Sequence, residues 1–534
     1  MSSEAAYPGK NSSGCNIGRV MPNGLNRRRF VNAAACASIV PRLFSASRKR
    51  PNILFAIADD QSWVHAGAYG DRVVKTPAFD RIAERGVLFT NAFSGSPGCA
   101  PSRAAILTGR SPWQLEEAGT HASLFPKKFQ AYPDILAAAG YHTGFTGKGA
   151  GPCNWKDAGW PHNPAGPEYN RRKAVQTSNA ISAIDYAANF EEFLQKKPAE
   201  SPFCFWYGAQ EPHRPYRVGS GLESGKRLQD VVVPPFLPDV SEVRGDMLDY
   251  YLEIEHFDRQ LGKILGILEK SGELENTLLV ATADNGMSFP RAKATMYEYG
   301  IHLPLAVSWP ARFAGGRKID DLISFMDFAP TFLEAAVVGP NAVMTGRSIL
   351  NVLDSKQSGR VDASRDHIFS GRERHSHSRF DNLGYPARAI RTHEYLYIRN
   401  FKPDRWPAGD PEGYFDIDAC PSKDYLLKHR ESEGVKRLFE LTCGKNPSEQ
   451  MYDIQKDPGC LHNLANAPSH ATIRARLREQ LDRRLLAEKD PRATGSGDIW
   501  ESYPRYSPMR PQLGGFAEMG KYNPKYQQAR RPPV

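Results

Sequence analysis

Short apolar runs that end on acidic residues indicate two strands of a buried sheet. Residues 51–58 are almost wholly apolar and are followed directly by Asp59 and Asp60. Residues 277–282 repeat the pattern, and Asp284 comes soon after them. Uninterrupted apolar runs of this length are typical of strands covered on both faces, as in parallel sheets. Because ligands bind at the carboxyl ends of such strands, the two acidic clusters are predicted to share one site.

Helical and short-strand patterns divide the 534-residue chain into a large first domain and a smaller second one. Residues 246–270 carry the periodicity of a long helix, whereas short polar and aromatic runs dominate from about residue 365. We predict an α/β fold with a large, mostly parallel sheet flanked by helices, and a smaller C-terminal α+β domain with a short antiparallel sheet. The predicted boundaries are 1–49 for a leader, 50–365 for the first domain, 366–490 for the second and 491–534 for an extended tail.

The leader has the features of an export signal. Residues 1–50 hold nine Lys/Arg and one Glu, so they account for +8 of the net charge of +10. The rest of the chain is nearly neutral, which gives no support to a nucleic-acid partner. Arg28 and Arg29 precede the apolar stretch 31–40, which is too short to span a membrane and resembles a twin-arginine signal. We predict a periplasmic or secreted protein without stable membrane insertion; a disordered basic tail is the alternative.

A cysteine motif is the most informative segment of the chain. Residues 99–103 read Cys-Ala-Pro-Ser-Arg and residues 107–110 read Leu-Thr-Gly-Arg. A chance match to Cys-X-Pro-Ser-Arg is rare in a chain of this length, on the order of once in a thousand chains. The sequence resembles the type I sulfatase family of the alkaline phosphatase superfamily. The resemblance implies that a formylglycine-generating enzyme oxidises Cys99 to formylglycine (3-oxoalanine).

An aldehyde suits the cleavage of sulfate esters. Its hydrate offers one hydroxyl group for attack on sulfur and a second one for the release of sulfate. The resemblance also implies one calcium ion, bound by Asp59, Asp60, Asp284 and Asn285 together with residue 99. These four side chains offer oxygen atoms and no imidazole nitrogen, a ligand set suited to calcium or magnesium rather than zinc.

Four further residues match positions of the family that act on the sulfate group. The resemblance implies that Arg103 holds the formylglycine oxygen and that Lys148 contacts the sulfate oxygens. Lys293 would contact the bridging region, and His213 would protonate the leaving group, a role that suits the pKa range of histidine.

One position departs from the family pattern. Residues 147–150 read Gly-Lys-Gly-Ala where the family carries Gly-Lys-X-His, so Ala150 stands at the place of a histidine. His142 and His162 are nearby in sequence, and either of them could substitute for it.

The C-terminal half contains candidates for substrate recognition. Residues 284–290 and 385–391 look most like the N-sulfoglucosamine sulfohydrolase (sulfamidase) branch, which implies a sulfated carbohydrate as the substrate. The candidate recognition residues are Glu373, Arg374, His375, His377 and Arg388, each of which could equally be structural.

Two other classes of protein remain as alternatives. A phosphate-ester hydrolase of the same superfamily would use Ser or Thr as the nucleophile and zinc ligands that include histidine. A non-catalytic binder of sulfated glycans would explain the absent histidine. The cysteines other than Cys99 form no CxxC pair, which argues against a zinc ribbon, although Cys420 and Cys443 could form a disulfide after export.

Overall fold

The computed structural model describes residues 49–176, 180–339, 341–411 and 413–513. The twin-arginine pair and the apolar stretch 31–40 lie outside these residues, so the export signal stays a prediction. In the described part of the chain, no helix combines the length and the apolar character needed to cross a bilayer.

The strands and helices alternate through the first two thirds of the chain. In chain order, the strands are β1 (Asn52–Ala58), β2 (Val87–Phe89), β3 (Ala92–Phe93), β4 (His142–Gly147), β5 (Phe203–Gly208), β6 (Thr277–Ala283), β7 (Leu305–Ser308), β8 (Arg317–Ile319), β9 (Ile323–Ser324), β10 (His367–Arg372), β11 (Ala387–Thr392), β12 (Tyr395–Asn400) and β13 (Glu449–Asp453). The α-helices are α1 (Pro77–Arg85), α2 (Cys99–Thr108), α3 (Tyr132–Ala138), α4 (Tyr186–Lys196), α5 (Ser220–Glu223), α6 (Ser241–Lys270), α7 (Glu298–Ile301), α8 (Phe328–Ala335), α9 (Leu350–Asp354), α10 (Pro421–Lys428), α11 (Lys436–Cys443), α12 (Ala471–Ala487) and α13 (Pro491–Thr494).

Seven strands form one large sheet in the order β4-β5-β1-β6-β7-β2-β8. The four strands β4, β5, β1 and β6 are parallel, whereas β7 runs antiparallel to both β6 and β2. The prediction of a mostly parallel sheet is therefore confirmed. Its four parallel carboxyl ends lie along one edge, where the predicted site residues follow the strands.

Alternate side chains of β1 enter two separate cores, one on each face of the sheet. Ile53, Phe55 and Ile57 pack with α2, α3 and α8, and Leu54 and Ala56 pack with α1, α4 and α6. This double burial explains why the strand sequence is continuously apolar rather than alternating.

The second sheet is small and antiparallel, in the order β10-β11-β12-β13. Leu477, Leu481 and Leu485 of α12 recur every four residues and are buried against one of its faces. The predicted α+β character of this part is confirmed, while the exact boundary at residue 365 stays a prediction.

The segment after residue 490 is packed rather than extended over its described part, residues 491–513. It contains α13 and a short 3₁₀ helix at Gly497–Ser502, and Trp500 and Tyr506 are buried. Its Pro- and Gly-rich composition suggested an extended tail, but a few large aromatic residues are enough to anchor such a segment.

Candidate active site

The predicted site residues follow the carboxyl ends of four adjacent strands. Asp59 follows β1, Lys148 follows β4 and Asp284 follows β6, while His213 lies in the turn after β5. The parallel register pairs Ile57 with Gly208 and Ala58 with Ala283, so these ends are level with one another. Residues that are far apart in sequence therefore meet at one place.

Three carboxylates form a compact buried cluster. One oxygen each of Asp59, Asp60 and Asp284 lies within 4.8 Å of the others. The backbone N–H of Asp60 donates to Asp284 Oδ1 at 3.1 Å, and Asn285 Nδ2 donates to Asp60 Oδ1 at 2.8 Å. Burial, followed by the charge of Asp59, raises the pKa of Asp284 to about 7. Arg103 and Lys148 act in the opposite direction and favour the ionised carboxylate.

The cluster fits a hard divalent cation. Asp59 Oδ1 and Asn285 Oδ1 are buried and have no hydrogen-bond partner among the described residues. Buried oxygen atoms without partners are costly unless a cation or water binds to them. All four side chains offer oxygen, the ligand atom that calcium and magnesium prefer.

Cys99 is the first residue of helix α2 and is almost completely buried, with 1% of its surface exposed. Burial raises the pKa of its thiol to about 11, although Lys148 works in the other direction. The thiol is therefore protonated at neutral pH and is a poor nucleophile as it stands. Ser102 Oγ donates to the backbone carbonyl of Asp284 at 2.5 Å, which fixes α2 against the end of β6.

Three buried cations neutralise the carboxylates. Lys148 Nζ pairs with Asp59 Oδ2, and Lys293 Nζ pairs with Asp60 Oδ2 at 2.6 Å. Arg103 Nε pairs with Asp284 Oδ2 at 2.7 Å, and its Nη1 donates to the carbonyl of Lys148 at 2.7 Å. Arg103 Nη2 has no hydrogen-bond partner in the described part of the chain.

His213 lies at the rim of the site. Its Nε2 is 4.0 Å from Asp60 Oδ2, and its Nδ1 bonds to the carbonyl of Arg214 at 2.6 Å. The side chain is 37% exposed, so it can reach a bound molecule from the solvent side. Since the carbonyl accepts from Nδ1–H, Nε2 is the nitrogen that can exchange a proton.

Asp418 is a site residue that the sequence analysis missed. Its Oδ2 lies 3.1 Å from Lys293 Nζ, and although burial raises its pKa, Lys293 holds that pKa below the ordinary value. No motif surrounds Asp418, so only the folded structure reveals that this residue reaches the site.

The five C-terminal candidates divide into one residue beside Cys99 and four that are engaged elsewhere. A Cβ atom built on Gly98 would lie 2.9 Å from His375 Cδ2, so the His375 ring contacts the residue before Cys99. The other four candidates have a structural explanation, since their polar groups form hydrogen bonds or ion pairs within the protein. Their contact with substrate stays a prediction. The pairs are Glu373 with Arg388 at 2.7 Å, Arg388 with Asp490 at 2.7 Å, Arg374 with the carbonyl of Tyr503 at 2.7 Å, and His377 with the N–H of Arg510 at 2.6 Å.

The two proposed substitutes for the absent histidine have other contacts in the structure, and whether either acts in its place stays a prediction. His142 begins β4 and stacks on Phe193 at 4.5 Å, a whole strand away from Lys148. His162 bonds to the carbonyl of Asn163 and lies 3.6 Å from Asp134. The extended strand β4 separates His142 from Lys148 by about 3.3 Å per residue, whereas Asn163, next to His162, accepts the N–H of Ala150 at 3.0 Å.

Two other histidines lie close to the nucleophile position. The rings of His121 and His375 are 4.9 Å apart. Ala122, next to His121, donates its N–H to the carbonyl of Pro152 at 3.1 Å, so the His121 segment runs beside the chain that follows Ala150. Nδ1 of His375 lies 3.5 Å from Asp416 Oδ1, whereas Nε2 of His375 and Nδ1 of His121 lack a hydrogen-bond partner among the described residues.

Both halves of the chain match known families. The profile of the sulfatase family matches residues 51–338, and that of the C-terminal part of N-sulphoglucosamine sulphohydrolase matches residues 291–413. An ulvan-active sulfatase of Formosa agariphila is 29% identical over 483 residues, which cover 83% of this chain and 76% of that protein. The N-sulphoglucosamine sulphohydrolase of Homo sapiens is 27% identical over 539 residues, which cover 90% of this chain and 99% of that protein.

Solved structures share the fold at lower identity. A protein in complex with its substrate D-glucosamine-2-N,6-O-disulfate superposes with a TM-score of 0.61 at 22% identity, covering 83% of this chain and 99% of that one. The phosphonate monoester hydrolase of Agrobacterium radiobacter superposes with a TM-score of 0.58 at 18% identity, covering 83% and 96%. One of these proteins has a sulfated sugar as its substrate and the other hydrolyses phosphonate monoesters. Since this architecture serves both kinds of substrate, the choice between sulfate and phosphorus ester hydrolysis depends on the side chains of the site.

Proposed function

Because the chain belongs to the sulfatase family and is a hydrolase of sulfate esters or N-sulfates, we propose that it acts on a sulfated carbohydrate through formylglycine at position 99 and one calcium ion. The observation that carries the proposal is the convergence of Cys99 with three carboxylates and two lysines at one sheet edge. The names of the two relatives support a sugar substrate. The match to the second profile makes N-sulfated glucosamine the first compound to test.

Calcium would be held by Asp59, Asp60, Asp284 and Asn285 together with residue 99, where its charge would favour an ionised nucleophile and offset the sulfate. The buried thiol of Cys99 is a poor nucleophile, and a hydrated aldehyde in its place supplies hydroxyl groups for attack on sulfur and for release of sulfate. A formylglycine-generating enzyme is therefore the proposed maturation partner.

The cationic side chains are proposed to bind and orient the sulfate group. Lys148 and Lys293 are buried and each donates to a carboxylate of the cluster. Once a cation occupies the oxygen atoms, the two ammonium groups can turn to sulfate oxygens at little cost, since they are already desolvated. Nη2 of Arg103, which lies 3.9 Å from Asp59 Oδ2 and forms no hydrogen bond within the described residues, is the group proposed to hold the oxygen at residue 99.

His213 is the proposed proton donor to the leaving oxygen or nitrogen. Its Nδ1 is fixed by the carbonyl of Arg214, which leaves Nε2 on the side of Asp60 and the solvent. A positioned acid of this kind typically contributes about 10²- to 10⁴-fold in rate.

The proposal is tested by measuring free sulfate released from defined sulfated mono- and oligosaccharides, with N-sulfoglucosamine first and a phosphate monoester as the comparison. We expect sulfate release by the wild type and none by Cys99→Ala, with an unchanged circular dichroism spectrum. Peptide mapping across residue 99 should show the aldehyde. An unmodified thiol in a host that makes the modifying enzyme, together with glycan binding, would identify a binder, and faster phosphate release would identify a phosphate-ester hydrolase.

A further inference from the structure

A buried arginine from the C-terminal segment reaches the surroundings of Cys99 without an assigned role. The segment 503–510 is fixed by backbone contacts, since the N–H of Tyr506 donates to the carbonyl of Ala122 at 2.7 Å. Ser123 Oγ donates to the carbonyl of Pro504 at 2.7 Å. Arg505 lies between these two contacts and is 7% exposed.

The guanidinium of Arg505 lacks the partners that a buried charge requires. Its Nη1 donates weakly to the carbonyl of His375 at 3.3 Å, and its Nε has no hydrogen-bond partner among the described residues. The nearest carboxylate network is already used, because Asp416 pairs with Arg372 at 2.6 Å and with Arg379 at 2.7 Å. In the described residues, no carboxylate forms an ion pair with Arg505.

The surroundings of Arg505 are cationic. Burial, followed by the guanidinium groups of Arg374 and Arg510, lowers its pKa to about 9. It is still charged at neutral pH. A buried cation without an anion is unfavourable, so such a group is expected where a ligand brings the missing charge.

Contacts connect Arg505 to the nucleophile position. Arg505 bonds to His375, and the His375 ring contacts Gly98, which precedes Cys99 at the start of α2. No hydrogen bond or ion pair links Arg505 to Asp59, Asp60 or Asp284 within the described ranges. It therefore approaches residue 99 by way of His375 and not through the carboxylate cluster.

We propose that Arg505 binds a second anionic group of the substrate, a sulfate or a carboxylate, beside the sulfate group that is cleaved. The inference rests on the proposed function, in which Lys148 and Lys293 already serve the cleaved group. The planar fork of a guanidinium matches the paired oxygens of a sulfate or a carboxylate. The substrate is then a sugar with two anionic substituents, or a singly sulfated sugar next to a uronate.

The test compares Arg505→Met with wild type on N-sulfoglucosamine, on the same sugar with an added 6-O-sulfate, and on a uronate-containing N-sulfated disaccharide. We expect kcat/KM of Arg505→Met to fall about 10- to 100-fold on the compound whose second anion it binds, as for one charge-assisted hydrogen-bond pair. The fall on N-sulfoglucosamine should be below about threefold. Comparing the two doubly anionic compounds separates sulfate from carboxylate.

Stability and binding complete the test. Arg505→Met should unfold at the wild-type temperature or above it, since no carboxylate loses a partner. Arg505→Lys keeps the positive charge but lacks the planar guanidinium fork. Its kcat/KM on the doubly anionic compound should lie between those of Arg505→Met and the wild type. The matched control is Arg483→Met. The Arg483 side chain lies on α12 and is 70% exposed, so this variant should keep the wild-type kcat/KM on all three compounds. Equal losses on all three compounds, or none, would overturn the inference.

Binding to the inactive Cys99→Ala protein separates the inference from the proposed function. Calorimetry with glucosamine 6-sulfate and with a free uronate should show binding to Cys99→Ala of at least one of them, weakened about tenfold or more by the added Arg505→Met. If the wild type releases no sulfate from any compound, the proposed function fails, while this measurement still decides on Arg505. Absent binding to Cys99→Ala, or binding that the added Arg505→Met leaves unchanged, would refute the second anion site.

Discussion

Single residues at the site illustrate how buried charges are balanced. Asp59, Asp60 and Asp284 each face one cation, namely Lys148, Lys293 and Arg103. This set is close to neutral by itself. A divalent cation makes it positive, and an anionic substrate then offsets the excess, so metal and substrate favour each other's binding.

Replacing Asp284 by Ala should remove metal and activity together. The change takes away one oxygen ligand and leaves Arg103 without its carboxylate, so we expect at least about 100-fold less activity and the loss of most bound calcium. Atomic emission of the dialysed protein measures the calcium content. Asp498→Ala, whose side chain is 81% exposed, is the matched control. An unchanged calcium content in Asp284→Ala would contradict the ligand set.

Site residues that belong to a recognisable sequence motif could be assigned to the site from the sequence. Site residues outside any motif could not. The position of Asp284 after an apolar strand and of Cys99 in its signature was enough to place both at one site. Asp418 and Arg505 come from segments whose local sequence carries no signal, and their role depends on how the second half of the chain folds back. The two readings of Arg388 could not be separated from sequence, because a buried ion pair and a substrate contact use the same residue types.

Elements position the site through the ends of the parallel strands. The long helix predicted at 246–270 is observed as α6, and the strand predicted at 277–282 is β6. Their signals were strong because β6 is buried at every position and α6 buries one apolar face along its length. The antiparallel placement of β7 was not predictable, since a four-residue apolar run does not reveal its direction.

The turn after β4 requires a glycine. Gly147 has a φ of 79°, and a Cβ atom there would lie 1.9 Å from the carbonyl oxygen of Gly208. Gly147→Ala should therefore destabilise the protein by at least about 2 kcal/mol and displace Lys148, lowering kcat/KM for sulfate release. Chemical denaturation and the sulfate assay measure the two effects.

Gly159→Ala is the matched control for that variant. Gly159 has a φ of 84° but no atom within 4 Å of the added Cβ, so it should cost about 1 kcal/mol and leave activity unchanged. Equal effects of the two substitutions would show that strain alone, and not the approach of β5, constrains Gly147.

On the scale of the whole molecule, buried ion pairs join helix α7, which precedes β7 of the large sheet, to β11 of the small sheet. Glu298 of α7 accepts two hydrogen bonds of 2.8 Å from Arg391 of β11, and His302 Nδ1 lies 2.9 Å from the same carboxylate. Although burial alone would raise it, Arg391 and then His302 lower the pKa of Glu298 to about 2, from an ordinary value of 4.5. The ionised form is therefore the one that the folded state prefers.

The stabilising effect of Glu298 should depend on pH. Because its folded pKa is depressed, the contribution is complete above about pH 4.5 and is lost as the pH falls towards 2. At pH 7 we expect Glu298→Gln to lower the free energy of unfolding by about 3 kcal/mol, with the difference from wild type shrinking below pH 4.5. Denaturation series at several pH values test this. Glu479→Gln, 68% exposed, should show no such trend, and a difference that stays constant with pH would exclude this origin.

The burial of Cys99 limits when the side chain can be converted. An oxidising enzyme cannot reach a residue with 1% of its surface exposed inside the first turn of α2, with Ser102 tied to the end of β6. Under the proposed chemistry, the aldehyde must therefore form while the nascent polypeptide is still unfolded around Cys99. The fraction of catalytically active molecules in a cell is then determined during synthesis. Molecules that fold with the Cys99 thiol unconverted stay inactive.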